Sequence, residues 1–328
     1  MESRWKQLKH SQKIKENLGK RARALASIRS FFDVRGFLEV ETPIVVSKPG
    51  MEPHLDPFRT AVVDPRGNSY PAALITSPEY AMKKLLAAGF GNIYQIVKCF
   101  RNGEAFKGRH NPEFTMIEWY RTKADYADIM RDTEELVKDV ARNVLGKTDI
   151  CWRGNAIDLG QEWLRLSVRD ALRAYADIDL DRALEDKEIL RQAAEKLGHD
   201  LEEKVSWDDA FYTVFLNAVE PHLGMDRPYA ERFELYIGGL EIANAFTELT
   251  DAAEQRLRLQ EERALRISLG RFDHGLDEDF LAALEEGMPD AGGIALGVDR
   301  LVMLLLGEED IRNVVAFPAD SMFGNGSE

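Results

Sequence analysis

The sequence feature that most restricts the fold is a pair of alternating runs separated by two glycines. Residues 232–237 and 240–249 alternate between apolar and polar side chains, and Gly238-Gly239 connects them. Such a connection is typical of a tight β-hairpin, because glycine accepts the positive φ angles that the turn requires. The sequence therefore predicts an antiparallel pair of strands in the last third of the chain.

The rest of the pattern mixes helices and strands without regular alternation. Apolar spacing and capping residues predict helices at 16–34, 77–88, 125–145, 185–197, 251–268 and 299–306. Short alternating or apolar runs predict strands at 37–42, 93–100, 113–120 and 292–298, and Pro43 ends the first. Because the strands cluster in hairpins, we predict an α+β fold, an antiparallel sheet flanked by helices, and not a doubly wound parallel sheet.

The charge balance argues against extensive binding to nucleic acid. The 328 residues include 57 acidic and 43 basic ones, a formal net charge of -14, whereas a phosphate backbone is bound by clustered Lys and Arg. No run of about 18 apolar residues is present, and the charged N-terminus lacks the apolar stretch of a signal peptide. Two cysteines cannot form a disulfide framework, so we expect a cytoplasmic protein.

Two arginines stand where a guanidinium could clamp a phosphate. Arg101 follows an apolar strand, and Arg300 opens a helix after the glycine-rich run 292–297. Fixed arginine donors suit the charge that develops in nucleotidyl transfer. Taken singly, each could equally be an ordinary surface arginine, and the glycines could serve packing or turns.

Three glutamates recur every seven residues in the hairpin region. If Gly238-Gly239 form the turn, Glu241 lies opposite Tyr236 on the face that carries Glu234, where a Mg²⁺ with ATP phosphates would relieve the repulsion. A solvated sheet face is the alternative. Simple parity places Glu248 on the face opposite to Glu241, so both line one site only if a bulge intervenes.

A further polar set precedes and accompanies the second predicted hairpin. Glu79 follows Ser77-Pro78, and Glu118 and Tyr120 share one strand face by their spacing of two. Carboxylates beside a phenol in a cleft would suit an ammonium group. Core packing is the alternative for Tyr120, and it is the interpretation that we adopt for Trp119.

Taken together, these segments resemble the three ordered motifs of class II aminoacyl-tRNA synthetases in their lysyl version. GFLEVETP (36–43) resembles motif 1, FRN and RHNPEFTMIEWY (100–102 and 109–120) resemble motif 2, and GIALGVDRL (293–301) resembles motif 3. TSPEY (76–80) and LEIANAFTELTD (240–251) are also similar to lysyl-type sequences. The resemblance covers nearly the whole chain and implies one catalytic domain over 1–328, with a helical insertion near 160–215.

Within that group the chain is similar to the family of elongation factor P–(R)-β-lysine ligases. Motif 1 begins within the first 45 residues, which leaves no room for an anticodon-binding OB-fold, and Ala295 stands where lysyl-tRNA synthetases typically have glycine. The resemblance implies activation of (R)-β-lysine with ATP and Mg²⁺ and transfer to a lysine ε-amine of elongation factor P. It also implies a homodimer through motif 1 and no tRNA partner.

The resemblance further implies a role for each matched residue. Catalysis would rest on two residues, Arg101 and Arg300. The ATP site would comprise Arg101, Asn102, Gly103, Glu104, Asn111, Phe114, Glu241, Ile242, Gly297 and Arg300. The amino acid would meet Ser77, Pro78, Glu79, Glu118, Tyr120, Asn244, Phe246, Glu248 and Ala295, and Mg²⁺ would be bound by Glu234 and Glu241.

Two segments depart from the family pattern. Motif 2 usually has Arg-x-Glu, whereas here Glu104 is displaced by one residue from that spacing. Residues 221–232 are shorter than the family's segment, which normally leads into the hairpin. Two alternatives stay open: a free-standing lysine-activating enzyme with another acceptor such as tRNA, and an inactive synthetase-like binding protein.

Overall fold

The computed structural model describes residues 3–106, 108–202, 204–220 and 232–323, and its centre is a six-stranded sheet. The strands lie side by side in the order β1 (Leu38–Glu39), β5 (Ile93–Phe100), β6 (Glu113–Thr122), β11 (Ala291–Gly297), β10 (Leu240–Thr247) and β9 (Arg232–Ile237). Each neighbouring pair is antiparallel except β1 with β5, which is parallel. The predicted α+β fold with an antiparallel sheet is confirmed.

Three helices cover one face of this sheet. They are α2 (Gln12–Asp33), α4 (Tyr126–Leu145) and α11 (Val298–Leu306), and α1 (Arg4–His10) precedes them. Their apolar sides join Trp119 and other strand residues in the largest buried cluster, so Trp119 is a core residue as predicted. The side chain of Asp125 accepts hydrogen bonds from two backbone N–H groups at the start of α4, which fixes where that helix begins.

A second helical layer and a small sheet build the side on which the charged residues gather. The helices are α3 (Glu79–Ala87), α9 (Ala252–Ser268) and α10 (Glu278–Gly287), and the small sheet has the order β2 (Val45–Val46), β4 (Ser69–Leu74) and β3 (Arg59–Val63). Met82, Leu86, Leu259 and Phe280 hold these helices together in one buried cluster. This packing fixes the N-terminal turn of α3 against the central sheet.

The remaining elements form a hairpin, a helical group and a short C-terminal part. They are β7 (Asp149–Trp152), β8 (Asn155–Asp158), α5 (Val168–Ala176), α6 (Leu180–Glu185), α7 (Glu188–Lys196), α8 (Trp207–Val214), a π-helical turn (Phe215–Val219), a 3-10 turn (Ile311–Asn313) and α12 (Ala319–Phe323). The helices α5 to α8 share a buried cluster of their own. The assignment of the chain to one domain with an insertion stays a prediction.

Two predicted elements have the wrong extent. The strand at 37–42 is paired only at β1, because its last hydrogen bond to β5 runs from the Val40 N–H to the Tyr94 carbonyl (2.9 Å). The helix predicted at 185–197 begins later, at Glu188, since the Asp186 carboxylate accepts a hydrogen bond from the Glu188 N–H (3.0 Å), and Glu185 is instead the last residue of α6. The short segment 221–232 lies outside the described residues except for its last residue. Among the described helices none is long and apolar enough to cross a membrane.

The glycine that ends α11 offers a test of how tightly this helix is packed. Gly307 has a φ of 65°, and an added Cβ would lie 2.8 Å from the backbone carbonyl of Cys151. Gly146 ends α4 with a φ of 75° and has nothing within 4 Å of an added Cβ. We expect Gly307→Ala to lower the free energy of unfolding by more than about 2 kcal/mol and Gly146→Ala by only about 1 kcal/mol. Urea denaturation measures both, and equal losses would contradict the packing argument.

Candidate active site

The charged residues gather in one cleft of about 470 Å³ on the exposed side of the central sheet. It is floored by β6, β10 and β11 and closed by the start of α3, the turn after β5 and the start of α11. Of the predicted site residues, the following line it: Ser77, Glu79, Arg101, Glu104, Asn111, Phe114, Glu118, Tyr120, Glu241, Ile242, Asn244, Phe246, Glu248, Ala295, Gly297 and Arg300. Segments that are far apart in the chain therefore meet in one place.

Guanidinium groups dominate one end of the cleft. The Arg101 guanidinium lies 5.0 Å from the ring centre of Phe114, and its buried Nε has no hydrogen-bond partner among the described residues. Arg300 donates from Nη1 to the backbone carbonyl of Glu241 (3.0 Å), and the same nitrogen lies 3.3 Å from the carboxylate of that residue. Arg109 adds a third guanidinium, and burial followed by the charges of Arg153 and Arg300 lowers its pKa. Three arginines in one partly buried site favour a polyanion.

A buried carboxylate holds Arg300 in position. Asp299 precedes it on α11 and is 2% exposed. Its Oδ2 accepts a hydrogen bond from the Thr115 N–H of β6 (2.7 Å), and its Oδ1 pairs with Arg21 of α2. The beginning of α11 is thus tied both to the sheet and to a second helix, which sets the direction of the arginine that follows.

The displaced glutamate of motif 2 does reach the cleft. Glu104 accepts a hydrogen bond at Oε2 from Nδ1 of His110 (2.8 Å), and this bond is the main reason why the pKa of Glu104 is lowered. Asn111 also lines the cleft, but its amide is already engaged, since it donates to the Glu113 carbonyl (2.5 Å) and accepts from the Ala319 N–H (2.8 Å). Asn111 therefore contributes here by holding the turn in place.

A bulge in β10 decides which hairpin residues share the site. Glu241 lies opposite Tyr236 as predicted, but the register then shifts, and Ala243 lies opposite Leu235. One extra residue in β10 reverses the parity of everything after it. As a result Glu241 and Glu248 both face the cleft, which the sequence allowed only with such a bulge.

Only one of the two expected metal ligands lines the cleft. Glu241 lines the cleft, whereas the Glu234 carboxylate accepts hydrogen bonds from Arg232 Nη2 (2.5 Å) and the Tyr236 hydroxyl (2.8 Å) and does not line it. The two residues nevertheless lie on neighbouring strands, since Glu241 of β10 is opposite Tyr236 and Glu234 of β9 is opposite Asn244. No group of three His, Cys, Asp or Glu side chains within the described ranges could hold a metal ion by itself. Carboxylate oxygens suit Mg²⁺, but phosphate oxygens would have to complete its ligands.

Carboxylates dominate the other end of the cleft, and a buried lysine links two of them. Lys83, 4% exposed, places Nζ 2.6 Å from Oε1 of Glu79 and 2.6 Å from Oε2 of Glu248. Burial disfavours the ammonium form, but the charges of Glu248 and Glu79 outweigh it and raise the pKa of Lys83. The sequence offered only the spacing of four between Glu79 and Lys83 as a signal.

Two further glutamates leave this end with an excess of negative charge. The Tyr120 hydroxyl donates to Oε1 of Glu118 (2.5 Å), while Oε2 of Glu118 is buried and has no partner in the described part of the chain. Burial, and then the charge of Glu79, raises the pKa of Glu118 well above that of an ordinary glutamate. Glu52, which the sequence analysis missed, also lines the cleft. Four carboxylates facing one lysine favour a cationic ligand.

Small residues of β11 make room between these groups. A Cβ on Gly293 would overlap the Glu248 carboxylate and lie 2.5 Å from the Tyr120 ring, so a side chain is excluded there. Ala295 lies opposite Glu118 of β6 on one side and Asn244 of β10 on the other. Ala295 therefore lies between Glu118 and Asn244, two of the residues expected to contact the amino acid.

Three other predicted residues do not line the cleft. The Asn102 N–H donates to the Asp56 carbonyl (2.7 Å), so its backbone is part of an isolated bridge. Gly103 turns the chain with a φ of 80°. Pro78 lines an adjacent depression together with Tyr80. Their neighbours in sequence carry the side chains that reach the cleft.

Comparisons with known proteins agree with this geometry. The sequence model of the family described as "tRNA synthetases class II (D, K and N)" matches residues 1–321. Three curated relatives bear the name elongation factor P–(R)-β-lysine ligase. They come from Proteus mirabilis (43% identical, 92% of this chain and 94% of the relative), Klebsiella pneumoniae strain 342 (41%, 93% and 95%) and Salmonella typhi (39%, 93% and 95%).

The contribution of the buried Lys83 to stability can be compared with that of its neighbour Lys84. Lys83→Met would leave the buried Glu248 carboxylate and the partly exposed Glu79 carboxylate without their cation, and we expect the free energy of unfolding to fall by about 3 kcal/mol. Lys84 pairs with Asp277 and Asp279, its side chain is 29% exposed, and Lys84→Met should cost less than about 1 kcal/mol. Both substitutions change helix propensity equally, so chemical denaturation compares the ion pairs. Similar losses in the two variants would contradict the special role of Lys83.

Proposed function

The chain belongs to the class II tRNA synthetases (D, K and N) and, among them, to the family of the elongation factor P–(R)-β-lysine ligases, and from this we propose its reaction. The enzyme activates (R)-β-lysine with ATP as an aminoacyl-adenylate. It then transfers the β-lysyl group to a lysine ε-amine of elongation factor P. The observation that carries this proposal is the division of one cleft into an arginine end and a carboxylate end.

The arginine end is suited to the activation step. The carboxylate of the amino acid attacks the α-phosphorus of ATP, a new C–O–P linkage forms, and pyrophosphate leaves. We assign the α-phosphate to Arg101 and the γ-phosphate to Arg300. Arg109, which the sequence analysis did not identify, adds a third positive charge to this end of the cleft. No side chain acts as a nucleophile, so catalysis consists of positioning and charge stabilisation.

We propose that Mg²⁺ accompanies ATP in this step. Glu241, and Glu234 behind it, would hold the ion on the hairpin side of the cleft. When bound, the ion neutralises charge on the phosphate oxygens. The protein's own contribution there is the pairing of Arg300 with Glu241, which keeps the two groups at a fixed separation of 3.3 Å.

The carboxylate end is suited to a molecule with two ammonium groups. Lys83 holds Glu79 and Glu248 in place, and Tyr120 holds one oxygen of Glu118 while the other stays free. An ammonium group of the substrate can approach that free oxygen. Ala295, between Glu118 and Asn244, narrows the space in which the amino group lies. We propose that this methyl group contributes to the choice between β-lysine and α-lysine.

The proposal extends to assembly and location. Around motif 1, the side chains of Val34, Leu38, Ile44 and Val45 are exposed, the first of them by 76%. An apolar surface of this kind fits a homodimer formed through motif 1. We propose the cytoplasm as its location, because the reaction consumes ATP, and elongation factor P as the protein partner without a tRNA.

The first experiment measures the two half-reactions separately. We expect ATP–pyrophosphate exchange that favours (R)-β-lysine over α-lysine, followed by transfer of labelled β-lysine to purified elongation factor P. Arg300→Ala should reduce exchange on the order of 100-fold or more, because it removes charge stabilisation made in the transition state. Arg256→Ala is the control. This residue of α9 is partly exposed and lies outside the cleft, so the variant should retain the exchange activity.

Other results would support the competing interpretations. Exchange with α-lysine and no labelled protein would point to another acceptor such as tRNA. No exchange with either amino acid would indicate a synthetase-like binding protein.

The pKa of Glu118 gives a prediction about pH. Its pKa is raised in the free enzyme, and a bound ammonium group favours the ionised carboxylate, so binding the amino acid should release protons. We therefore expect the KM for β-lysine to fall as the pH rises from about 6 to about 8, where the ammonium groups stay charged. Calorimetry in two buffers of different ionisation enthalpy measures the protons directly. Glu118→Gln should abolish most of this release, and an unchanged release in that variant would overturn the assignment.

A further inference from the structure

The transfer step needs a proton acceptor, and none of the roles assigned so far includes one. A lysine side chain has a pKa of about 10.4, so the acceptor arrives as an ammonium and must lose a proton before its nitrogen can attack. An arginine side chain offers only donors and no acceptor atom, and Lys83 is held as an ammonium by two carboxylates. Glu79 and Glu248 are in turn occupied by that lysine.

Glu52 has the position that this step requires. It lies on the loop between β2 and β3 and lines the cleft. The charges of Glu79 and Arg101 both act on the pKa of its carboxylate, so Glu52 lies near both residues. These two residues mark the amino-acid end and the α-phosphate end, and the reacting carbonyl carbon of the adenylate lies between those ends.

The Glu52 carboxylate also has an oxygen to spare. Its Oε2 is buried and forms no hydrogen bond with any described residue. Glu118 also has an oxygen without a partner among the described residues, but that side chain lies on the sheet floor and is 3% exposed, whereas Glu52 lies on a loop and is partly exposed. An amine of another protein reaches a partly exposed side chain on a loop more readily than one on the sheet floor.

Hydrogen bonds from a buried arginine hold the loop that carries Glu52. Arg266 of α9 is 1% exposed and donates from Nη1 to the backbone carbonyls of Glu52 (2.8 Å) and Leu55 (2.7 Å). Gly50 leaves space for the Glu52 carboxylate, since a Cβ at Gly50 would overlap Oε2 and lie 2.8 Å from Cδ. The carboxylate is therefore folded back over a glycine and kept in one place.

We propose that Glu52 is the catalytic base of the transfer step, an inference that rests on the proposed function. The ε-nitrogen of the acceptor lysine gives its proton to Glu52 and attacks the carbonyl carbon of the adenylate. A C–N bond forms, the C–O bond to the phosphate breaks, and AMP leaves with the electron pair of that bond. The nitrogen loses its second proton, which passes to the phosphate of the departing AMP, and so becomes the amide N–H. Glu52 returns the proton to solvent before the next turnover.

The environment of Glu52 agrees with this role. Burial, and then the charge of Glu79, raises its pKa above that of an ordinary glutamate. A stronger base accepts a proton from an ammonium more readily, and general-base catalysis is most efficient when the pKa values of the two groups approach each other.

The test separates the two half-reactions in Glu52→Gln. We expect pyrophosphate exchange with (R)-β-lysine within about twofold of wild type, and transfer to elongation factor P reduced by about 100-fold or more. Hydroxylamine, which is already neutral at pH 7, should still trap the adenylate as the hydroxamate at the wild-type rate. Retained exchange shows that the variant is folded.

A second variant moves the carboxylate without removing it. Gly50→Ala forces the Glu52 side chain aside, and it should likewise lower transfer more than exchange. Glu262→Gln is the matched control. Burial and the charges of Glu52 and Glu79 raise the pKa of Glu262 to about 7, but this residue does not line the cleft, and both half-reactions should persist.

Each contrary result has a distinct meaning. Transfer that survives in Glu52→Gln, or equal losses of exchange and transfer, would overturn the role of a base. Loss of hydroxylamine trapping together with lysine transfer would also overturn it, because a neutral nucleophile needs no base. Absence of exchange or transfer in the wild-type enzyme would instead refute the proposed function.

Discussion

The bulge in β10 is the local irregularity on which the rest of the site depends. It inserts one residue between Glu241 and Ala243, so the strand contributes side chains to the cleft both before and after the shift. Without it, Glu241 would stand with the arginines while Asn244 and Glu248 pointed into the core side of the sheet. A regular strand cannot present both sets, because successive residues alternate between its faces.

The charges that this arrangement concentrates must be kept apart from one another and from water. At the arginine end, the backbone carbonyl of Glu241 accepts a hydrogen bond from Arg300, and Asp299 anchors the start of the helix that carries this arginine. At the carboxylate end, one buried lysine compensates two glutamates, and two more remain with a free oxygen each. Uncompensated buried carboxylates destabilise the free protein, and a cationic substrate would remove that repulsion. Stability and binding are therefore coupled through the same side chains.

The space at the carboxylate end of the cleft depends on small residues as much as on charged ones. Gly293 has no side chain because Glu248 and Tyr120 occupy that space, whereas the methyl group of Ala295 fits between Glu118 and Asn244. These two positions of one strand thus shape the amino-acid end from below. The loop at Glu52, supported by Arg266, also lines the cleft.

The sequence by itself determined the hairpin at Gly238-Gly239, most helices and strands, two arginines of the cleft and the family, because these follow from local periodicity and contiguous motifs. It did not determine the small sheet β2–β4–β3. It also did not determine where β1 ends or where α7 begins, because a single hydrogen bond decides each of these boundaries. Only the tertiary structure decided that β10 is bulged, that Lys83 and not Lys84 lies between two carboxylates, and that Glu52 faces the cleft. Each of these depends on which segments meet in space, and contacts between distant segments leave no periodic signal in the chain.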